Sequence, residues 1–179
     1  MRMRDCHGSF IAENAAMITV IFLALTFPLV NLATSTYRYN MVCGAAKAAA
    51  HAGANAGTFT GSAGSATPGQ GVMQTVPATV NNYLGNAKGI SNVTCKYRIN
   101  IAKIDDQTVS SNPWGTKLPN PADLDTYIYS MQVVVDADVA PLVQMSLGGF
   151  VPNVPGVTSP SHQSVSAQEV VETTAGLNQ

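Results

Sequence analysis

The sequence predicts an α+β protein in which a long N-terminal membrane-spanning helix continues into an external domain, with a small antiparallel sheet packed on that helix. Three observations predict it. No charged residue occurs at the 24 positions between Glu13 and Arg38. An alanine-rich stretch without a helix breaker then runs on to Gly53 and Gly57. Two later segments, near residues 93–101 and 127–137, alternate apolar and polar side chains with the period of two that marks a strand.

The uncharged positions would extend about 36 Å as a helix, enough to cross a ~30 Å hydrocarbon layer. Their apolar centre, Ala15 to Val30, includes Ile18, Val20, Phe22, Leu25 and Leu29. Arg2 and Arg4 precede it, so the positive-inside preference places the amino terminus in the cytoplasm and the remainder outside. Beyond Tyr37, alanine sustains the helix by propensity, and the lack of bulky side chains admits a close neighbour. Pro28 is expected to kink the membrane half, because it lacks a backbone donor. Asn31 is expected to bond a carbonyl freed near that kink, or a neighbouring helix.

Three readings compete for this segment. A secretory signal peptide would be cut on its far side, near Thr34-Ser35-Thr36. A plain anchor explains the length but not Glu13 at its mouth, where an ionised carboxylate is costly unless paired. In the third reading the chain is cut after Gly8, where the absent side chain lets a protease approach closely. Ser9 then carries a free α-amino group, and Glu13 becomes the fifth residue. A neighbouring subunit staggered by about one turn would set its amino terminus against this carboxylate. The plain alternative for Glu13 is an acid favoured in a helix's first turn by the dipole.

Gly8-Ser9-Phe10-Ile11-Ala12-Glu13 followed by an apolar helix resembles the processing site of type IV pilin-like proteins. The alanine-rich, sparsely basic stretch from Tyr39 to Ala54 is similar to the helix that follows the span in TadE-like proteins, the minor pilins or pseudopilins of the tight-adherence (Flp) pilus system. The resemblance covers residues 8 to 54 and is looser beyond. It implies a cytoplasmic leader at 1–8, a long helix at 9–56 with the membrane span at about 14–37, and an external domain at 57–179. It also implies processing between Gly8 and Ser9, subunit pairing through Glu13, and a place in the inner membrane or in a pilus. The implied partners are other pilin subunits, a prepilin peptidase and the Tad secretion machinery. The implied work is structural, for adherence or secretion, with no catalytic centre. An uncleaved single-pass envelope protein and an exported binding module are the alternatives.

Within the external part, residues 57–71 form a Gly/Ser/Thr-rich connector. Val72, Val76, Val80 and Leu84 recur every four residues and predict a short amphipathic helix, with Thr75 before Pro77 as its start signal and Gly85 or Gly89 as its stop. Two strands follow. Val93, Cys95, Tyr97, Ile99 and Ile101 share one face of the first, and Tyr127, Tyr129, Met131, Val133, Val135 and Ala137 one face of the second. One polar face on each argues for an antiparallel sheet covered on one side, with the long helix as cover. Residues 105–125 are expected to form an exposed loop, Val139 to Val143 a short helix, and Ser164 to Val171 a third strand.

Little else in the sequence points to chemistry. The net charge of −1, with only nine basic side chains, excludes an electrostatic footprint for nucleic acid. His7, His51 and His162 show no metal-ligand spacing, and no nucleotide or nucleophile motif occurs, so no metal or cofactor is expected. Cys6 would leave with the leader. Cys43 on the helix and Cys95 on the strand face could meet as a disulfide outside the cytoplasm, closing a loop of about 50 residues worth ~4 kcal/mol in the chain-entropy model. They could equally be two separate small core residues. Asp136 and Asp138 share a solvent face, Asp105-Asp106 reads as a turn, and Trp114 is either a contact residue or a local packing anchor.

Overall fold

A computed structural model describes residues 6–61, 71–144, 153–172, 174 and 176–178, with side chains from Ala12 onward. The elements run α1 (Cys6–Ala54), α2 (Val72–Leu84), β1 (Ile90–Lys103), β2 (Val109–Ser111), β3 (Tyr127–Val139) and β4 (Ser161–Val170). The fold is α+β, with a long apolar N-terminal helix and a four-stranded antiparallel sheet. The chain forms two compact units, one of Met1–Thr36 with Ala140–Ser161, the other of Tyr37–Val139 with His162–Gln179.

In the first unit α1 runs through Pro28, whose missing N–H cannot serve the Ala24 carbonyl. Residues 140–144 are irregular, so the short helix expected from Val139 to Val143 does not form. Val139 ends β3, and the N–H and C=O of Val143 are both held by the distant Asn31 side chain rather than by a helical turn. Gly156, at φ 82°, turns the chain back, and its N–H bonds the Ser159 carbonyl at 2.8 Å.

In the second unit the strand order is β2-β1-β3-β4. The antiparallel β1–β3 register pairs Cys95 with Val135, Tyr97 with Val133 and Ile99 with Met131. The inward face of β3, from Tyr129 through Met131 and Val133 to Val139, is buried. Its cover comes from α1, where Val42, Ala45, Ala46, Ala49 and Ala50 form one stripe at helical spacing, and from Val72, Val76, Val80 and Leu84 of α2. Small side chains let α1 approach closely. A Cβ on Gly53 would stand 2.8 Å from Val76 Cγ2 and 3.2 Å from Met131 Cγ.

Further details differ from the expectation or add to it. α2 begins at Val72, ahead of Thr75, because the N–H groups of Val72 and Met73 bond the carbonyls of Thr58 and Phe59 and Gln74 accepts the Gly71 N–H. Those bonds satisfy the orphan donors of a first turn, and Pro77 therefore lies inside the helix. β4 starts at Ser161 rather than Ser164. The 105–125 connection contributes the three-residue strand β2, paired with β1 from Asn100 to Ala102, and its Leu118 is buried. The chain's last described residues also join the core: Leu177 is buried, and Gly176 lies so close to the Gly57 carbonyl that a side chain there would overlap it.

Candidate membrane-anchoring helix and processing site

The apolar part of α1 presents its large side chains to the exterior. Ile18, Phe22, Leu25 and Leu29 follow one face and are each at least 62% exposed, while Met17 and Val20 lie open on other faces. A helix apolar all round is one that normally lies inside a protein or a bilayer. Ala12–Ala54 is long and apolar enough to cross a membrane.

Three hydroxyls along it are satisfied by the helix itself. Thr19, Thr34 and Thr36 each donate a hydroxyl to the carbonyl four residues earlier, at 2.8–2.9 Å. Such back-bonding leaves no hydroxyl proton seeking water. Asn31, which the sequence places against a kink carbonyl or another helix, is buried and reaches elsewhere. Its Nδ2 donates to the carbonyls of Val143 at 2.9 Å and Val157 at 2.7 Å, and its Oδ1 accepts the Val143 N–H at 3.0 Å. One turn on, buried Ser35 donates to the Gly156 carbonyl at 2.6 Å.

Gly8 and Ser9 lie near the start of α1, among residues whose side chains are outside the described set. Glu13 is exposed, four positions after Ser9, and helical geometry sets positions four apart on one face. Cys43 and Cys95 are both free thiols, each half-buried, Cys43 on α1 and Cys95 on the inward side of β1. Burial pushes the Cys95 thiol above its ordinary pKa. Cys6 is the first residue of α1.

On the open face of the sheet several polar and charged side chains meet one another. Asp138 accepts from Asn92 Nδ2 at 2.7 Å and meets His162 Nδ1 at 2.9 Å. Those two contacts, Asn92 foremost, hold its carboxyl below the usual range. Lys96 reaches Asp136 at 3.9 Å, and the Arg98 guanidinium lies 4.5 Å over the Trp114 ring, which makes Trp114 a local anchor. Away from that face, His51 of α1 lies 3.9 Å from Glu169 of β4. Among the described residues no group of three or more His, Cys, Asp or Glu side chains could hold a metal ion.

Sequence reasoning missed the Asn31 site and a cleft of about 330 Å³ lined by Ile101, Leu118, Pro119, Pro121, Tyr127 and Tyr129. Asn31 carried a signal, being an amide inside an apolar run, but nothing local named its partners. No protein-family model, no curated protein and no solved structure matches this chain.

Proposed function

We propose that this chain is a structural or assembly subunit similar to the TadE-like minor pilins. It inserts α1 into the inner membrane with its amino terminus in the cytoplasm, and is cut between Gly8 and Ser9. The observation that carries this reading is the exposed apolar surface of α1 between Met17 and Leu32, where Thr19 bonds its hydroxyl back to the helix itself. In water that surface would be a large unpaid apolar exposure; in a bilayer, or among neighbouring helices of a filament, it is at rest. Within the same reading, Glu13 lies one turn past the new terminus at Ser9, and its carboxylate receives the α-amino group of an adjacent subunit. That pairing sets helix register as subunits are drawn from the membrane into a fibre, with prepilin peptidase and the Tad machinery as partners. No bond-making chemistry is required of the chain itself.

Intact-mass analysis of the protein from native membranes tests the proposal. A chain beginning at Ser9 is the expected result. A membrane-embedded chain still beginning at Met1 would overturn processing, and recovery of the whole chain in the soluble fraction would overturn insertion.

A further inference from the structure

The segment 140–161 carries no Asp, Glu, Lys or Arg, the same property that marks the apolar part of α1. It belongs to the same compact unit as that helix. Asn31 fixes its height: bonds from one side chain to the backbone of Val143 and Val157, with Ser35 on Gly156, tie both of its ends to one turn of α1. At that level the segment leaves Leu142 57%, Val143 38% and Val154 42% exposed, beside exposed Val30 and Leu32 on the helix. The height is informative. From Ala12 to Val30 the helix rises ~28 Å, close to the ~30 Å of a hydrocarbon core. Irregular backbone is tolerated at membrane depth only when protein covers it, so the irregular stretches 140–144 and 153–157, tied at Asn31, belong just outside the hydrocarbon.

We infer that the 140–144 and 153–157 stretches form a membrane-contacting collar, whose Leu142, Val143 and Val154 enter the outer headgroup boundary of the bilayer that α1 spans. The occupant of this apolar patch is lipid, because the patch is continuous with the exposed apolar surface of the helix and carries no charge that would reject it. Uncharged apolar side chains at an interface typically sink ~5–10 Å into the headgroup and acyl boundary. Asn31 then marks the outer limit of the hydrocarbon, short of Tyr37, and its amide is satisfied by the collar instead of by lipid or water. This inference rests on the membrane-spanning reading of α1.

Full-length protein in phosphatidylcholine/phosphatidylglycerol vesicles tests it, with Trp114→Phe to remove the native fluorophore. Single reporters are placed by Leu142→Trp, Val154→Trp and, as the span control, Leu23→Trp. Bromine is carried by the lipid either near the headgroup or near the chain end. The expected result is a blue-shifted collar reporter whose emission falls by about half with headgroup-proximal bromine, while Leu23→Trp responds most to chain-end bromine. If Leu23→Trp is quenched and neither collar reporter is, whether in water or under a second copy of the chain, the collar is overturned and the span stands. If none of the three is quenched, both readings fail.

Discussion

Asn31 and Val143, 112 positions apart, form a two-way pair in which the side-chain amide donates to the Val143 carbonyl and accepts the Val143 N–H, at 2.9 and 3.0 Å. The second Nδ2 proton goes to the Val157 carbonyl, so both amide protons are used. Replacing Asn31 by Leu keeps the size but strips three backbone groups of their partner. A fully buried group left unpaired costs ~1–3 kcal/mol and these part-buried ones less each, so the three losses together correspond to about tenfold in local opening. Hydrogen exchange in detergent micelles should therefore show the Val143 amide exchanging at least ~10-fold faster in Asn31→Leu. Equal protection in both proteins would mean that the pair does not hold the segment.

Gly53 brings α1 close to α2 and β3 within the second unit. A methyl group there would press on Val76 Cγ2 at 2.8 Å and Met131 Cγ at 3.2 Å. Val76 and Met131 are both fully buried, so neither can swing into solvent. Gly53→Ala should lower stability by ~1–3 kcal/mol through overpacking, although alanine has the better helix propensity by ~1 kcal/mol. Trimming the opposing side chain should relieve part of the strain. In chemical denaturation, Gly53→Ala combined with Val76→Ala should be less destabilised than the sum of the two single variants. Simple additivity would argue against the contact.

Asp138 is held in its charged form by Asn92 and, secondarily, by His162. Asn92 is able to do this because β1 bulges there: residues between Ser91 and Thr94 fall out of register, and Asn92 adopts φ 52°. A carboxyl whose folded pKa is depressed adds stability above its unfolded pKa, near 3.9 for Asp, and loses that contribution as pH falls through the lower folded value. The sensitive window is therefore below about pH 4. A carboxyl-carbon NMR titration should place the Asp138 midpoint below that of an ordinary aspartate, and Asn92→Ala should move it upward. A midpoint indifferent to Asn92 would assign the shift to another cause.

Where local pattern decides packing, the sequence was readable. The four-residue recurrence of Val72, Val76, Val80 and Leu84 became the buried face of α2, and the odd-numbered residues of β3 became the inner face of the sheet. The alanines after Tyr37 settled under the sheet because small side chains at helical spacing suit a close cover. What stayed hidden depends on pairs distant in sequence. No periodicity foretells that Asn31 will hold Val143, or that Leu177 will be buried beside a chain whose Leu118 N–H bonds its carbonyl at 3.0 Å. Val139 to Val143 read as a helix start because an Ala-Pro pair has that local preference, which two long-range hydrogen bonds overrode. The site residues divide the same way. Ser9 and Glu13 share a helix face by spacing alone, whereas the partner that Glu13 is proposed to meet belongs to another chain.

Cys43 and Cys95 offer a last separation of possibilities, since the sequence admits a bridge and the structure has two free thiols. Burial raises the Cys95 pKa, which lowers its thiolate fraction at neutral pH, and the thiolate is the species that alkylates. In the folded protein Cys95 should therefore react with iodoacetamide more slowly than free cysteine does, by about tenfold per unit of pKa elevation before any steric effect. Its rate should climb as pH rises through the elevated value. Peptide mass mapping after denaturation without reductant should find both Cys43 and Cys95 alkylated. A linked Cys43–Cys95 peptide pair that separates only on reduction would show that the oxidised form is the one that exists outside the cytoplasm. The same map reports on Cys6, whose peptide should be missing from the mature chain if cleavage follows Gly8.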